Sequence, residues 1–184
     1  MKVTTLLFII NLLVFLAEIF LMNVDVINFL SLNSNNIQIH QFITYQFLHN
    51  SGPHLFNNLV GLLMFGEHIE NFLGRRKFII TYLLCGVIGS IFQLISGFDT
   101  ILIGASGAIF GLMGFYLMIR KKIKDSNKKL HILLTILSVC FIVTELYNVI
   151  LGPKTNIGHW THIGGFVTGI LMYLYYEKRN RMEV

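Results

Sequence analysis

Apolar and polar positions along this chain sort on the scale of whole helices. Six apolar runs, at about residues 4–22, 54–72, 77–97, 105–119, 130–151 and 160–176, alternate with polar or basic connections. At about 1.5 Å of rise per residue, such runs cross or nearly cross a hydrocarbon core of about 30 Å, the fourth being short. The pattern predicts an all-α polytopic membrane protein: a six-transmembrane-helix bundle forming one domain over residues 1–184. Lys2 ahead of the first run resembles a signal peptide, but the run carries Glu18 and lacks a small-residue cleavage site, so it is read as helix one. The connection at 23–53 is long for a loop and mixes Asn33, Ser34, Asn35 and Asn36 with Phe29, Leu30, Phe42 and Phe47, which predicts a folded element lying at the interface. No soluble domain is expected before the first helix or after the sixth.

Composition agrees: the chain is 54% hydrophobic and 12% charged, with a mean hydropathy of +0.69, outside the range of ordinary soluble domains. The net charge of +5 does not suggest a nucleic-acid partner, because the basic residues sit at helix ends. Of 14 Lys and Arg, all but Lys154 fall in alternate connections: Lys2, Arg75 to Lys77, the cluster Arg120, Lys121, Lys122, Lys124, Lys128 and Lys129, and Lys178, Arg179 and Arg181. That asymmetry predicts cytoplasmic termini and outward-facing loops at 23–53, 98–104 and 152–158. Cys85 and Cys140 both lie inside apolar runs and are read as packing residues.

Four polar residues interrupt the apolar helices toward the outer side: His54 and Asn58, Ser106, and His162. Counting back to the next basic residue on the inner side places Ser106 about 21 Å, His162 about 24 Å and Asn58 about 25 Å along their helices, so they share one layer. Glycines 104, 107, 111 and 114 line one face of the fourth helix, and Gly165 and Gly169 form a small-xxx-small pair on the sixth. Gly107, Gly111, Gly165 and Gly169 therefore predict close backbone packing that brings Ser106 to His162. A serine nucleophile with a histidine base suits peptide hydrolysis, with His54, Asn58 and the Ser106 amide around an oxyanion. The same residues also fit a helix cap and interhelical hydrogen bonds. No carboxylate is expected beside His162, so a dyad is predicted. His159 and His162 show no metal-ligand spacing with a carboxylate or cysteine, so no metal is expected. A bis-histidine haem is disfavoured because His40 and His131 read as loop residues and His68 lies near an inner end.

The ordered run His49-x4-His54-x3-Asn58, Gly66-x3-Glu70-x3-Gly74, Gly104-x-Ser106-Gly107 and His162-x2-Gly165-x3-Gly169 resembles the rhomboid intramembrane serine proteases along nearly the whole chain. The resemblance implies the basic six-helix bacterial form in the inner (plasma) membrane, with a Ser106/His162 dyad, an oxyanion site using His54 and Asn58, and no cofactor. It implies transmembrane protein substrates, cut near the outer end of a single membrane span. A non-catalytic rhomboid-like protein that binds transmembrane helices is the alternative; a small transporter is disfavoured by the lack of two-half symmetry.

Where many relatives carry Trp-Arg in the first outer loop, this chain has His40-Gln41, which leaves the anchoring of that loop open. Phe110 stands where some relatives have tyrosine and is expected against the His162 ring. Glu18 and Glu145, each costing about 2.5 to 3.5 kcal/mol at the centre of a bilayer if unpartnered, are expected to be structural. Glu70 is expected to brace the inner turn near Arg75 and Arg76.

Overall fold

Six long helices form where the apolar runs predict them. A computed structural model describes residues 1–97, 99–123, 127–153 and 155–182, with every side chain but that of Asn180. Lys124 and Lys154, both used in the charge pattern, lie outside the described residues. The helices are α1 (Val3–Phe20), α2 (Val24–Leu30), α3 (Gln41–Thr44), α4 (Gly52–Leu73), α5 (Arg75–Ile95), α6 (Ser106–Ile119), α7 (Lys128–Ile150) and α8 (His159–Met182). The chain is thus an all-α membrane bundle of six long helices, with α2, α3 and a 3₁₀ turn at Tyr45–Phe47 added in the first long connection. His131 falls in the first turn of α7, not in a loop, and its Nδ1 meets the Tyr116 hydroxyl at 2.5 Å.

The centre of the bundle is α6, whose Leu112, Phe115, Tyr116 and Ile119 are wholly buried. Its most extensive neighbour is α8, followed by α5 and α4. Glycine sets the α6 and α8 spacing: a Cβ at Gly165 would overlap the Gly107 carbonyl oxygen, and one at Gly169 would overlap that of Gly111. The expected small-residue seam is therefore a contact of backbone on backbone. In contrast, α7 buries only Leu134, Ser138 and Glu145 and leaves residues such as Ile132, Ile136 and Val143 exposed. Such an apolar face suits lipid.

Two carboxylates hold the ends of α1. Glu70 accepts from the amides of Val3 and Thr4 at 2.7 and 2.8 Å and from the Thr4 hydroxyl at 2.7 Å. It caps the start of α1 rather than bracing the Arg75 turn, because a helix N-terminus offers unpaired N–H groups and a favourable dipole. Glu70→Ala is expected to lower stability by at least about 1.5 to 3 kcal/mol, the scale of one charge-assisted hydrogen bond, read as a drop in melting temperature in detergent. At the other end, both oxygens of Glu18 accept from the His49 amide, at 3.0 and 3.1 Å, a structural role as expected.

The first long connection is anchored without Trp-Arg. His40 Nε2 and Gln41 Nε2 lie 2.9 and 3.3 Å from the Phe29 carbonyl, and the Thr44 hydroxyl donates to Leu30 at 2.6 Å. A two-residue antiparallel pair, β1 (Leu32–Asn33) with β2 (Ile101–Leu102), then ties this connection to the segment entering α6. Cys85 is buried under Gly111, whereas Cys140 is exposed on α7 and is not a packing residue.

Candidate active site

Ser106 opens α6 just after Gly104, whose φ of +120° lies in the region that favours glycine. The Gly104 amide donates to the Tyr45 carbonyl at 2.9 Å, so the first long connection fixes the approach to the serine. A Cβ at Gly104 would stand 2.7 Å from the His54 ring; only glycine lets this backbone pass so close to α4.

Ser106 Oγ lies 2.8 Å from His162 Nε2. The glycine seam brings the two together across 56 residues of sequence. The Phe110 ring stacks on His162 at 4.4 Å between centroids and 5° between planes, which fixes the plane of the imidazole. Asn58, buried on α4, donates Nδ2 to the His54 carbonyl at 3.0 Å, and its second amide hydrogen remains for another acceptor. His54 Nδ1 meets Asn50 Oδ1 at 2.9 Å. Ser106, His162, His54 and Asn58 all line one cavity of about 1120 Å³, whose apolar wall includes Met113 and Phe141. The cavity runs between α4 and α7, two helices that share no more than a marginal contact. Outside the spanning segments, burial and the adjacent His54 push the His49 imidazole down to about 4, so this neighbour adds no charge at neutral pH.

One expectation fails. A carboxylate does stand beside His162: Glu145 Oε1 is 3.0 Å from His162 Nδ1, and Glu145 Oε2 is 2.5 Å from His159 Nδ1. The depth count that grouped Ser106, His162 and Asn58 also places Glu145, 16 residues from Lys129, about 24 Å along its helix. The signal was present, but nothing in the spacing says which face of α7 meets α8. These three ligand-capable atoms lie within 4.8 Å of one another. Of the two close contacts, Glu145 Oε2 with His159 Nδ1 is a hydrogen bond, whereas Glu145 Oε1 approaches His162 Nδ1 off hydrogen-bond alignment.

A Rhomboid domain model matches residues 36–179. The chain is 27% identical over 148 residues to rhomboid-like protease 3 of Toxoplasma gondii, covering 78% of this chain and 54% of that protein. It is 28% identical over 163 residues to the rhomboid YdcA of Bacillus subtilis (strain 168), covering 85% and 77%. An Arabidopsis thaliana relative named inactive RHOMBOID-like protein 8 is 29% identical over 136 residues, covering 73% of this chain and 37% of its own length. The chain thus spans about half of the Toxoplasma protein and little over a third of the Arabidopsis one. With the domain model matched across most of its length, this integral membrane protein belongs to the rhomboid family.

Proposed function

We propose that the chain is an intramembrane serine endopeptidase, with Ser106 as nucleophile and His162 as general base. The observation that carries this reading is the 2.8 Å contact between Ser106 Oγ and His162 Nε2 at the wall of a cavity large enough for a peptide segment. In the first step Oγ bonds to the scissile carbonyl carbon, the carbonyl electron pair moves to oxygen, and the Oγ proton passes to Nε2. Collapse breaks the C–N bond as His162 returns that proton to the leaving amine, leaving an acyl-serine. Water then repeats the sequence, with His162 taking its proton and returning one to Oγ.

The developing oxyanion is met by donors at the start of α6, where first-turn amides lack intrahelical partners, and by the spare hydrogen of Asn58 Nδ2. With Asn50 presenting Oδ1, a neutral His54 carries its proton on Nδ1 and offers Nε2 as an acceptor. Turning the Asn50 amide to present Nδ2 moves that proton to Nε2, where it can donate. Asn58→Ala is expected to lower kcat by about 10² to 10³ with KM little changed; an unaltered kcat removes Asn58 from the oxyanion site.

The substrates in this reading are single-pass membrane proteins, cut near the outer end of their span, with both termini of the enzyme cytoplasmic and the enzyme in a bacterial plasma membrane. The basic connections support that orientation. The second reading, a non-catalytic helix-binding protein, draws on the relative named inactive. Proteoliposomes containing a single-span model substrate separate the two, with fragment masses locating the bond. A cut near the outer end of the span supports the protease; capture of several such substrates without any cleavage supports the binder.

A further inference from the structure

Glu145 is a buried carboxylate on a helix that is otherwise largely exposed to lipid. Its two oxygens are divided between two imidazoles of α8, Oε2 to His159 Nδ1 at 2.5 Å and Oε1 to His162 Nδ1 at 3.0 Å. The second contact is off the line of an ideal hydrogen bond, yet His162 Nδ1 is buried and has no other polar partner among the described residues.

The protons around this cluster can be assigned without giving any ring a second one. Glu145 Oε2 can only accept from His159 Nδ1, so the proton of a neutral His159 sits on Nδ1, and its Nε2, 2.9 Å from Thr155 Oγ1, is left to accept from that hydroxyl. Ser106 donates to His162 Nε2, so the His162 proton also sits on Nδ1, facing Glu145 Oε1. Phe110 fixes the plane of the His162 ring, and Glu145 is placed to fix its rotation within that plane.

We infer that Glu145 is a positioning residue for His162, with His159 holding its second oxygen. It selects the tautomer that leaves Nε2 able to take the Ser106 proton, and its negative charge stabilises the imidazolium formed during attack. That charge is weakly screened beside an apolar helix, so the contact strengthens as proton transfer proceeds. The inference rests on the protease reading given above.

The test compares wild type, Glu145→Gln and Glu145→Ala in proteoliposomes, with kcat and KM measured on a single-span substrate. Glutamine keeps the shape and removes the charge. Glu145→Gln is expected to lower kcat by at least about 10²-fold, by the logic of a buried triad carboxylate, with KM within twofold. A role confined to holding α7 predicts a lower melting temperature with kcat per folded molecule unchanged, and that result overturns the inference. Should both variants fail to fold, ¹⁵N-histidine spectra of the wild type, assigned by comparison with His162→Gln, decide it. His162 protonated on Nδ1 at neutral pH is expected; a ring protonated on Nε2 alone overturns the inference. A wild type that cleaves no substrate removes the protease reading and this inference together, whereas an active wild type matched by Glu145→Gln removes only the inference.

Discussion

Ser106→Ala is expected to abolish proteolysis and to leave substrate capture intact. Losing the nucleophile of a serine hydrolase lowers kcat on the order of 10⁶-fold, which for a membrane protease means no fragment above background. The fold should tolerate the change, since the Ser106 hydroxyl bonds only His162 among the described residues. One neutral hydrogen bond is worth about 0.5 to 1.5 kcal/mol, so the melting temperature should fall by no more than a few degrees. Cleavage by wild type and variant, run side by side on the same single-span substrate, checks this directly. Retained cleavage in the variant would remove Ser106 from the chemistry.

The second large effect is expected at Gly169, far from any reacting atom. A Cβ there overlaps the Gly111 carbonyl oxygen, and backbone cannot move aside as a flexible side chain can. Gly169→Leu must therefore push α8 off α6. Overpacking costs about 1 to 3 kcal/mol and sometimes more, and a displacement of about 1 Å between reacting groups can cost on the order of 10²-fold in rate. Both melting temperature and cleavage rate should drop together. Gly52→Ala is the matched control, since nothing lies within 4 Å of a Cβ at that position. Normal activity and melting in Gly169→Leu would refute the seam as the device that sets the distance between Ser106 and His162.

Much of this geometry could be read from the residues. Apolar runs located the six long helices because a spanning segment must satisfy its backbone internally and face lipid over most of its length. Glycine periodicity then paired α6 with α8, since steps of three and four residues define a face. Partners set by helix rotation or by distant loops could not be read in the same way. Glu145 and Glu70 each found a partner on another helix, His162 with His159 and the start of α1, that neighbouring charges did not reveal. The pairing of Leu32 with Leu102 joins two segments far apart in sequence and too short to show a strand pattern. His131 was misplaced because the basic residues before it look like loop, although Asn127 accepts from the Leu130 amide and starts α7 there.

The glycine seam also bears on how the bundle is assembled during synthesis. The face of α6 that carries Ser106 is completed by α8, and His162 lies 56 residues further along the chain. At synthesis rates of roughly 5 to 20 residues per second, that interval is about 3 to 11 seconds. During it the nascent chain holds a serine without its base. On the protease reading, the Ser106 and His162 pair therefore forms only once α8 has docked on α6, and activity waits on that step.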